Sequence, residues 1–245
     1  MTKVTSAPKI ASGRHARSKP ASVARTGLDR AQLVKASLEL LQESGLEGLS
    51  TRQLATRLGV KSPALYWHVR SKGELLALVA DALCGQMTLP MPRVSPRKRL
   101  EAIGWEYRRV LLSYRDAPRL MSEQPPTGPH RIKLYDVAVG ALLDVGLPIA
   151  EAVAMATFYR NFLLGMIAEE ARQETDSGSQ GLRPASVLGV ELSHMGDDLS
   201  EYPNLRGASE VLVSIVPEKL FRTGLNVILD GMDQLAAVHG MRTAK

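Results

Sequence analysis

The residues best suited to chemistry in this chain are aromatic and cationic side chains near residue 66. Tyr66 and Trp67 are adjacent, and Lys61, Arg70 and Lys72 lie within a few residues of them. Neighbouring residues on a helix point about 100° apart, so both aromatics cannot lie deep in one narrow apolar stripe. An exposed ring among cations suits packing against the phosphates and sugars of a nucleic acid. Adjacent aromatics are more commonly core residues, and the sequence leaves that alternative open.

Two short helices are predicted to position this cluster. Ser50 is the expected N-cap of the first, and Gly59 follows it where a left-handed residue would end a helix. Ser62 is the candidate N-cap of the second, with Pro63 at its first position, and Ser71 is expected to cap a longer helix. The residues expected to face the core at helical spacing are Leu54, Ala55, Leu58, Leu65 and Val69.

This order of elements is typical of a helix-turn-helix, whose second helix enters the DNA major groove. It predicts double-stranded DNA as a partner. An enzyme is the first alternative, but the chain has no Gly-rich phosphate loop, metal-ligand spacing or nucleophile motif. Its five histidines are scattered along the sequence. We therefore expect a protein that is not an enzyme, with no catalytic residue, no metal and no cofactor.

The net charge of +6 is placed unevenly along the 245 residues. Residues 1–25 hold six Lys and Arg and no acid, residues 26–72 have a net charge of +3, and residues 73–245 have −3. Basicity therefore coincides with the predicted helix-turn-helix, as expected of a DNA-binding part joined to a different kind of domain. Residues 1–25 are predicted to form a disordered basic arm, either an inert tail or a non-specific grip on DNA.

Composition and patterning favour an all-α protein with an aliphatic core. Aromatic residues are few, and no alternating pattern with regular turns indicates strands. No apolar run approaches the roughly 18–20 residues that span a bilayer, and no signal segment is evident. A single cysteine, Cys84, fits a reducing compartment. We expect a cytoplasmic protein with no membrane partner.

Pro and Gly residues divide the rest of the chain into further predicted helices. Asp29 is expected to cap the first helix and Gly45 to end it. The helices beyond the helix-turn-helix are expected over about residues 72–87, 95–114, 129–145, 148–172 and 208–238, with a short one between Pro118 and Pro125 and a restart at Pro217. Residues 174–206, rich in Gly, Ser, Asp and Pro, are predicted to form a long, partly ordered loop.

Residues 28 to about 238 resemble the TetR family of bacterial repressors, most closely the branch that contains the tetracycline repressors. The matching segments are LSTRQLA at 49–55, ALYWHV at 64–69, RRVLLSYRD at 108–116 and FRTGLNVILDG at 221–231. Together with the composition and helix patterns above, the resemblance divides the chain into four regions: a basic arm (1–25), a three-helix helix-turn-helix DNA-binding domain (26–72), a connecting helix and linker (73–94), and a helical ligand-binding and dimerisation domain (95–245).

The resemblance also assigns DNA-contacting residues. It places Thr51 and Arg52 on the phosphate backbone, Ser62, Pro63, Ala64 and Tyr66 at the major groove, Trp67 and His68 at the backbone and groove edge, and Lys72 on a phosphate. Tetracycline repressors have Gln where this chain has Ser62. The Gln amide can form two hydrogen bonds with one adenine, and a Ser hydroxyl cannot. We therefore expect an operator that differs from the tetracycline operator.

The family pattern further implies a homodimer and an effector site. A four-helix bundle would form from segments 148–172 and 217–238, where Gly165, Gly224 and Gly231 either allow close helix approach or relieve local crowding. Met121 replaces the His that holds Mg²⁺ in tetracycline repressors, and a thioether does not suit Mg²⁺. The candidate ligand-binding residues, each of which could equally be ordinary core, are Ile103, Tyr107, Met121, Gln124, Phe158, Asn161 and Phe162.

The function expected from these features is that of a ligand-responsive transcriptional regulator. A dimer would bind a palindromic operator as a repressor, and a small apolar or amphipathic effector would release it without a metal. The alternative is a DNA-binding regulator or activator that responds to no ligand.

Overall fold

A computed structural model of the chain describes residues 28–175, 184–195, 199, 201–205 and 207–243. Within these ranges every regular element is a helix, and none is long and apolar enough to cross a membrane. The all-α class predicted from the sequence is confirmed. The predicted basic arm of residues 1–25 lies outside the described residues.

Four helices form the N-terminal part of the molecule: α1 (Arg30–Gly48), α2 (Thr51–Arg57), α3 (Ser62–Tyr66) and α4 (Lys72–Gly85). The predicted caps are present at Asp29 and Ser50, whose side chains accept hydrogen bonds from the amides three residues on. Ser71 caps α4 in the same way. The expected cap at Ser62 is wrong: Ser62 is the first residue of α3, and Lys61 precedes it without a side-chain cap.

Among the described residues after α4, seven α-helices follow: α5 (Pro96–Leu112), α6 (Ala117–Glu123), α7 (Pro129–Asp144), α8 (Ile149–Thr175), α9 (Pro184–Met195), α10 (Ala208–Ser214) and α11 (Pro217–Thr243). The restart at Pro217 is confirmed. A loop throughout residues 174–206 is wrong, because α9 lies within that range. Its apolar residues pack against α10, and Gly189 lies closely against the backbone of Ser209, a long-range contact that local composition does not reveal.

The core is continuous from the N-terminal helices into the larger helical body. Leu75, Val79 and Leu83 on α4 are fully buried and belong to the same cluster as residues of α1 and α5. At the centre of the body, Tyr159 is buried and its hydroxyl donates to the Leu100 carbonyl at 2.6 Å. Helix α4 therefore packs with both parts.

A second link joins the two parts at a break in α1. Gly45 has φ 64° and ψ −168°, so it interrupts the helix, as predicted, although one further turn follows to Gly48. Beside it, the Asp116 carboxylate accepts a hydrogen bond from the Leu46 amide at 2.9 Å. A Cβ at residue 45 would lie 2.3 Å from Asp116 Oδ2. The break needs a glycine both for its left-handed backbone and for the space that Asp116 occupies.

We expect Gly45→Ala to lower the free energy of unfolding more than Gly59→Ala, measured by urea denaturation at one protein concentration. Both glycines have φ of 64°, but nothing lies within 4 Å of a Cβ at Gly59. Gly59→Ala should cost about 1–2 kcal/mol for its left-handed backbone. Gly45→Ala should cost about 1–3 kcal/mol more, because the Asp116 hydrogen bond must also be displaced. Equal losses would contradict the role assigned to Asp116.

Candidate DNA-binding surface and core cavity

Helix α3 turns its aromatic and small residues to solvent. Leu65 and Val69 are each 1 % exposed and anchor the helix to the core, whereas Tyr66 is 53 % and Trp67 is 90 % exposed. A five-residue helix that packs one face against the core buries the residue on that face, here Leu65, and leaves its neighbours exposed. The alternative that the two aromatics are core residues is therefore excluded.

The other residues predicted to contact DNA surround these rings in the sequence and are accessible. Thr51 is half-buried, and the remaining residues of the set, Arg52, Ser62, Pro63, Ala64, His68 and Lys72, are exposed. Helices α2 and α3 pack against each other. The turn between them is held by the Val60 amide, which donates to the Ala55 carbonyl at 3.0 Å.

Charge on this surface is unbalanced. Arg57 forms ion pairs with Glu39 and Glu43 of α1, so its charge is neutralised within the fold. Arg52, Lys61, Arg70 and Lys72, in contrast, make no ion pair with any described residue. Exposed cations without carboxylate partners are available to phosphate oxygens.

The loop after α3 is fixed by a carboxylate. Glu74 accepts a hydrogen bond from the Arg70 amide at 2.6 Å, while its own amide donates to the Ser71 hydroxyl at 3.1 Å. These bonds tie residues 70–74 to the start of α4, so α3 and Lys72 keep a fixed relation to that helix.

A small cavity of about 30 Å³ lies between α5, α7 and α8. Of the seven candidate ligand-binding residues, Ile103 and Tyr107 line it. Met121 is buried elsewhere in the core, Gln124 and Phe162 are half-buried, and Phe158 and Asn161 are exposed on α8. The structure therefore brings two of the seven together at the cavity and not the other five.

Sequence reasoning missed two arginines and two tyrosines that line the same cavity: Arg131, Tyr135, Tyr159 and Arg160. The available signal was the placement of arginines in otherwise apolar helical segments. Arg131 is 4 % exposed, and its guanidinium donates to the carbonyls of Pro125 at 2.7 Å and Gln124 at 3.1 Å. Arg131 of α7 thereby satisfies carbonyl groups just after the C-terminal end of α6. Burial lowers the pKa of Arg131.

A buried carboxylate joins α4 to the start of α7. Gly128 precedes α7 and has no side chain to cap it, so Asp81 of α4 does so instead, accepting from the amides of His130 at 2.9 Å and Arg131 at 3.0 Å. Its second oxygen contacts His130 Nδ1 at 2.9 Å. Helix α4, which packs with the N-terminal helices, is thus hydrogen-bonded to α7, which lines the cavity.

A second, larger cleft of about 590 Å³ lies between α1, α6 and α8. It is open, and its lining combines apolar residues such as Leu112 and Ala168 with polar and charged ones, among them Arg115, Arg119 and Glu123. This cleft could not be predicted from local patterns, because it forms where the N-terminal part meets the body.

No group of three or more His, Cys, Asp and Glu side chains suited to a metal ion occurs among the described residues. Met121, which stands where tetracycline repressors have the His that holds Mg²⁺, is fully buried.

Helices α8 and α11 leave apolar side chains uncovered. Gly165 and Gly231 have open space where a Cβ would lie, whereas a Cβ at Gly224 would meet the Phe162 ring at 2.8 Å. Gly224 therefore permits the approach of α8 and α11 within one chain. The exposed apolar residues of the two helices include Ile149, Val153, Phe158, Leu220, Val227 and Leu235.

We expect Asp81→Ala to destabilise the fold by about 1–3 kcal/mol, because the buried oxygen that accepts from two amides is lost. Urea denaturation measures this, and amide hydrogen exchange at residues 130–132 should quicken. Asp136→Ala is the matched control on α7, because Asp136 makes only an exposed pair with Lys133. Its effect should stay within about 1 kcal/mol. Unchanged exchange in Asp81→Ala would show that α7 does not depend on this cap.

Comparison with known proteins gives a consistent result over both parts of the chain. Residues 33–79 match the family described as bacterial regulatory proteins, tetR family, and residues 90–236 match the tetracyclin repressor-like C-terminal domain. The chain is 34 % identical to the class A tetracycline repressor protein from transposon 1721 of Escherichia coli over 84 % of this chain and 91 % of that protein.

Two solved structures of ActR from Streptomyces coelicolor are similar in fold. Apo ActR is 25 % identical, with a TM-score of 0.77 over 87 % of this chain and 99 % of that one. ActR in complex with actinorhodin is 25 % identical, with a TM-score of 0.74 over 84 % of this chain and 96 % of that one.

Proposed function

Because the chain belongs to the TetR family of bacterial transcriptional regulators, we propose that it is a repressor that binds a palindromic operator as a dimer and is released by a small organic effector. It acts in the cytoplasm, where its operator is. The relatives compared above are TetR-family regulators rather than enzymes, which agrees with the expectation from the sequence.

The observation that carries this proposal is the exposure of Tyr66 and Trp67 beside four cations without ion-pair partners among the described residues. Two large rings turned to water need a partner surface, and the cations indicate that the partner is a polyanion. Within this surface, Tyr66 and the small residues 62–64 are proposed to contact bases. Thr51, Arg52, Trp67, His68 and Lys72 are proposed to contact the backbone and groove edge.

The operator is proposed to differ from that of the tetracycline repressors. Ser62 is the first residue of α3 and is exposed. A hydroxyl makes one bond where an amide side chain would bind adenine through two atoms. The preferred base at that position should therefore change.

Effector binding is proposed at the cavity between α5, α7 and α8. Sites for small organic ligands measure about 300–1,000 Å³, so these helices must move apart to admit an effector. Because Asp81 bonds α7 to α4, that movement would shift α4 and the α3 that it carries. Operator DNA and effector would then lower each other's binding affinity by the same factor. The corresponding coupling free energy is typically about 1–3 kcal/mol.

The dimer is proposed to form through the uncovered apolar faces of α8 and α11, near the open space at Gly165 and Gly231. A second copy would bury these side chains in a four-helix bundle. This places the two α3 helices on one duplex, as a palindromic operator requires.

The alternative function is a DNA-binding regulator or activator that responds to no effector. One observation favours it: the cavity is only about 30 Å³ and holds about one water molecule in this conformation.

The deciding experiment is selection of a binding site from random duplex DNA by the full-length protein at near-physiological salt. A palindrome supports a dimeric, sequence-specific regulator. Equal affinity for selected and random DNA would contradict the proposal. Effector titrations against the selected site then separate the two functions, since only the repressor is released.

Tyr66→Ala should weaken binding to the selected site by about 1–3 kcal/mol and affect random DNA less, because its ring is proposed to contact bases. Fluorescence anisotropy on both duplexes measures the difference. Met91→Ala is the control, since Met91 is a 71 % exposed apolar residue outside α3. An unchanged ratio of specific to random affinity in Tyr66→Ala would remove Tyr66 from the base contacts.

Lys72→Ala should weaken binding to every sequence and reduce the slope of log affinity against log salt by about one. The reason is that its ammonium is proposed to neutralise one phosphate and release one counterion. Lys133→Ala on α7, where Lys133 pairs with Asp136, should leave the slope unchanged. The same slope in wild type and Lys72→Ala would show that Lys72 contacts no phosphate.

A further inference from the structure

Two arginines face the small cavity from different helices. Arg131 projects from α7 and is almost fully buried, and Arg160 projects from α8 and is half-buried. Both line the cavity, and none of the other residues around it is a carboxylate. An otherwise apolar cavity therefore carries two positive charges and no negative charge in its wall.

Neither arginine forms an ion pair with a side chain of the described residues. The guanidinium of Arg131 donates only to backbone carbonyls, which compensate its hydrogen bonds but not its charge. Arg160 donates to the Asn161 amide oxygen at 3.1 Å. Arginines elsewhere in the body differ, since Arg97, Arg99 and Arg108 each have an acidic partner.

The nearest acid does not remove this imbalance. Asp81 lies beside the start of α7, and its charge partly offsets the lowering of the Arg131 pKa by burial. Its hydrogen bonds, however, go to the amides of residues 130 and 131 and to the His130 ring, and it forms no ion pair with either arginine. The two arginines also repel each other: Arg160 lowers the pKa of Arg131, adding to the larger effect of burial. Bringing an unpaired charge out of water is unfavourable unless something pairs with it.

The remaining walls suit a flat apolar body. Tyr107, Tyr135 and Tyr159 contribute rings, and Ile103, Leu134 and Leu163 contribute aliphatic surface. The Tyr135 hydroxyl is bonded to the Val153 carbonyl at 3.1 Å, and the Tyr159 hydroxyl to the Leu100 carbonyl at 2.6 Å. Two of the three phenols are thus satisfied by the protein, which leaves the Tyr107 hydroxyl and the two arginines as the cavity groups available to a polar partner.

We propose that this cavity binds a small aromatic or similarly apolar molecule bearing a carboxylate or equivalent anionic group, which lies between Arg131 and Arg160. This deepens the proposed function and rests on it only for the ligand's role as effector. A guanidinium has five N–H donors, and Arg131 makes three hydrogen bonds to carbonyls, so donor capacity remains for an anion. The anion would relieve the repulsion between the two arginines, while the rings enclose the apolar body.

The test compares two probes of nearly equal shape, 1-naphthoate and 1-naphthamide, by isothermal titration calorimetry on the full chain. The naphthoate should bind at least about tenfold more tightly, because a charge-assisted pair to arginine is added. Benzoate and benzamide provide a smaller pair, should the cavity open less. Arg160→Gln should abolish the preference for the carboxylate and leave the amide's affinity unchanged, and Arg160→Lys should restore part of it.

Arg119→Gln is the matched control, because Arg119 lines the larger cleft and makes exposed ion pairs there. It should keep the full preference for the carboxylate. A preference lost in Arg119→Gln but kept in Arg160→Gln would place the anion in the other cleft and overturn the proposal. Equal affinity for acid and amide, or no binding of either pair, would also overturn it.

Binding to the selected operator is measured on the same preparations. A protein that binds its operator but shows no preference for the carboxylate contradicts the anionic site alone. A protein that shows the preference but binds no specific DNA contradicts the proposed repressor and leaves the anionic site standing.

Discussion

The buried carboxylate of Asp81 is the interaction on which the arrangement of the molecule depends. Helix α7 begins at a glycine that cannot cap it, and the missing acceptor comes from α4, in the other part of the chain. A cap from another helix constrains the position of both helices, whereas a cap within the same turn constrains only one. The first amides of α7 keep their hydrogen-bond acceptor only while α4 stays in place. Gly128 adds to the constraint, since any side chain there would displace the carboxylate.

Hydrogen bonds from a side chain of one element to the backbone of another occur at two other places. Asp116, before α6, holds the Leu46 amide of α1, and Arg131 of α7 closes the end of α6. The Asp116 bond joins helices far apart in the sequence and the Arg131 bonds join two consecutive helices, in each case through a backbone group that would otherwise be unsatisfied. The N-terminal helices and the body are thus connected by directional bonds as well as by the shared packing of α4. Both kinds of contact can carry coupling between two sites.

Local features were predictable and long-range ones were not. Asp29, Ser50 and Ser71 are caps whose partners lie three residues away, so the sequence alone identified them, and Pro217 restarted a helix as expected. The exposure of Trp67 followed from helical geometry. Helix α9 was not predicted because the segment around it is rich in Gly, Ser, Asp and Pro, and because the helix packs against α10, a contact that local composition does not reveal. Arg131 and Arg160 were missed because only the fold brings α7 and α8 to one cavity.

The exposure of Trp67 gives the protein an intrinsic optical probe at the DNA-binding surface. The chain has two tryptophans, and the other, Trp105 of α5, lies against the Phe221 ring at 5.2 Å between centroids and under the Arg222 guanidinium at 4.7 Å. One indole is in water and the other is held between α5 and α11. Their emission should separate in wavelength and in accessibility to a soluble quencher. Replacing either indole with phenylalanine would leave a label-free reporter of one end of the molecule, so that movement at the two ends could be timed independently in solution.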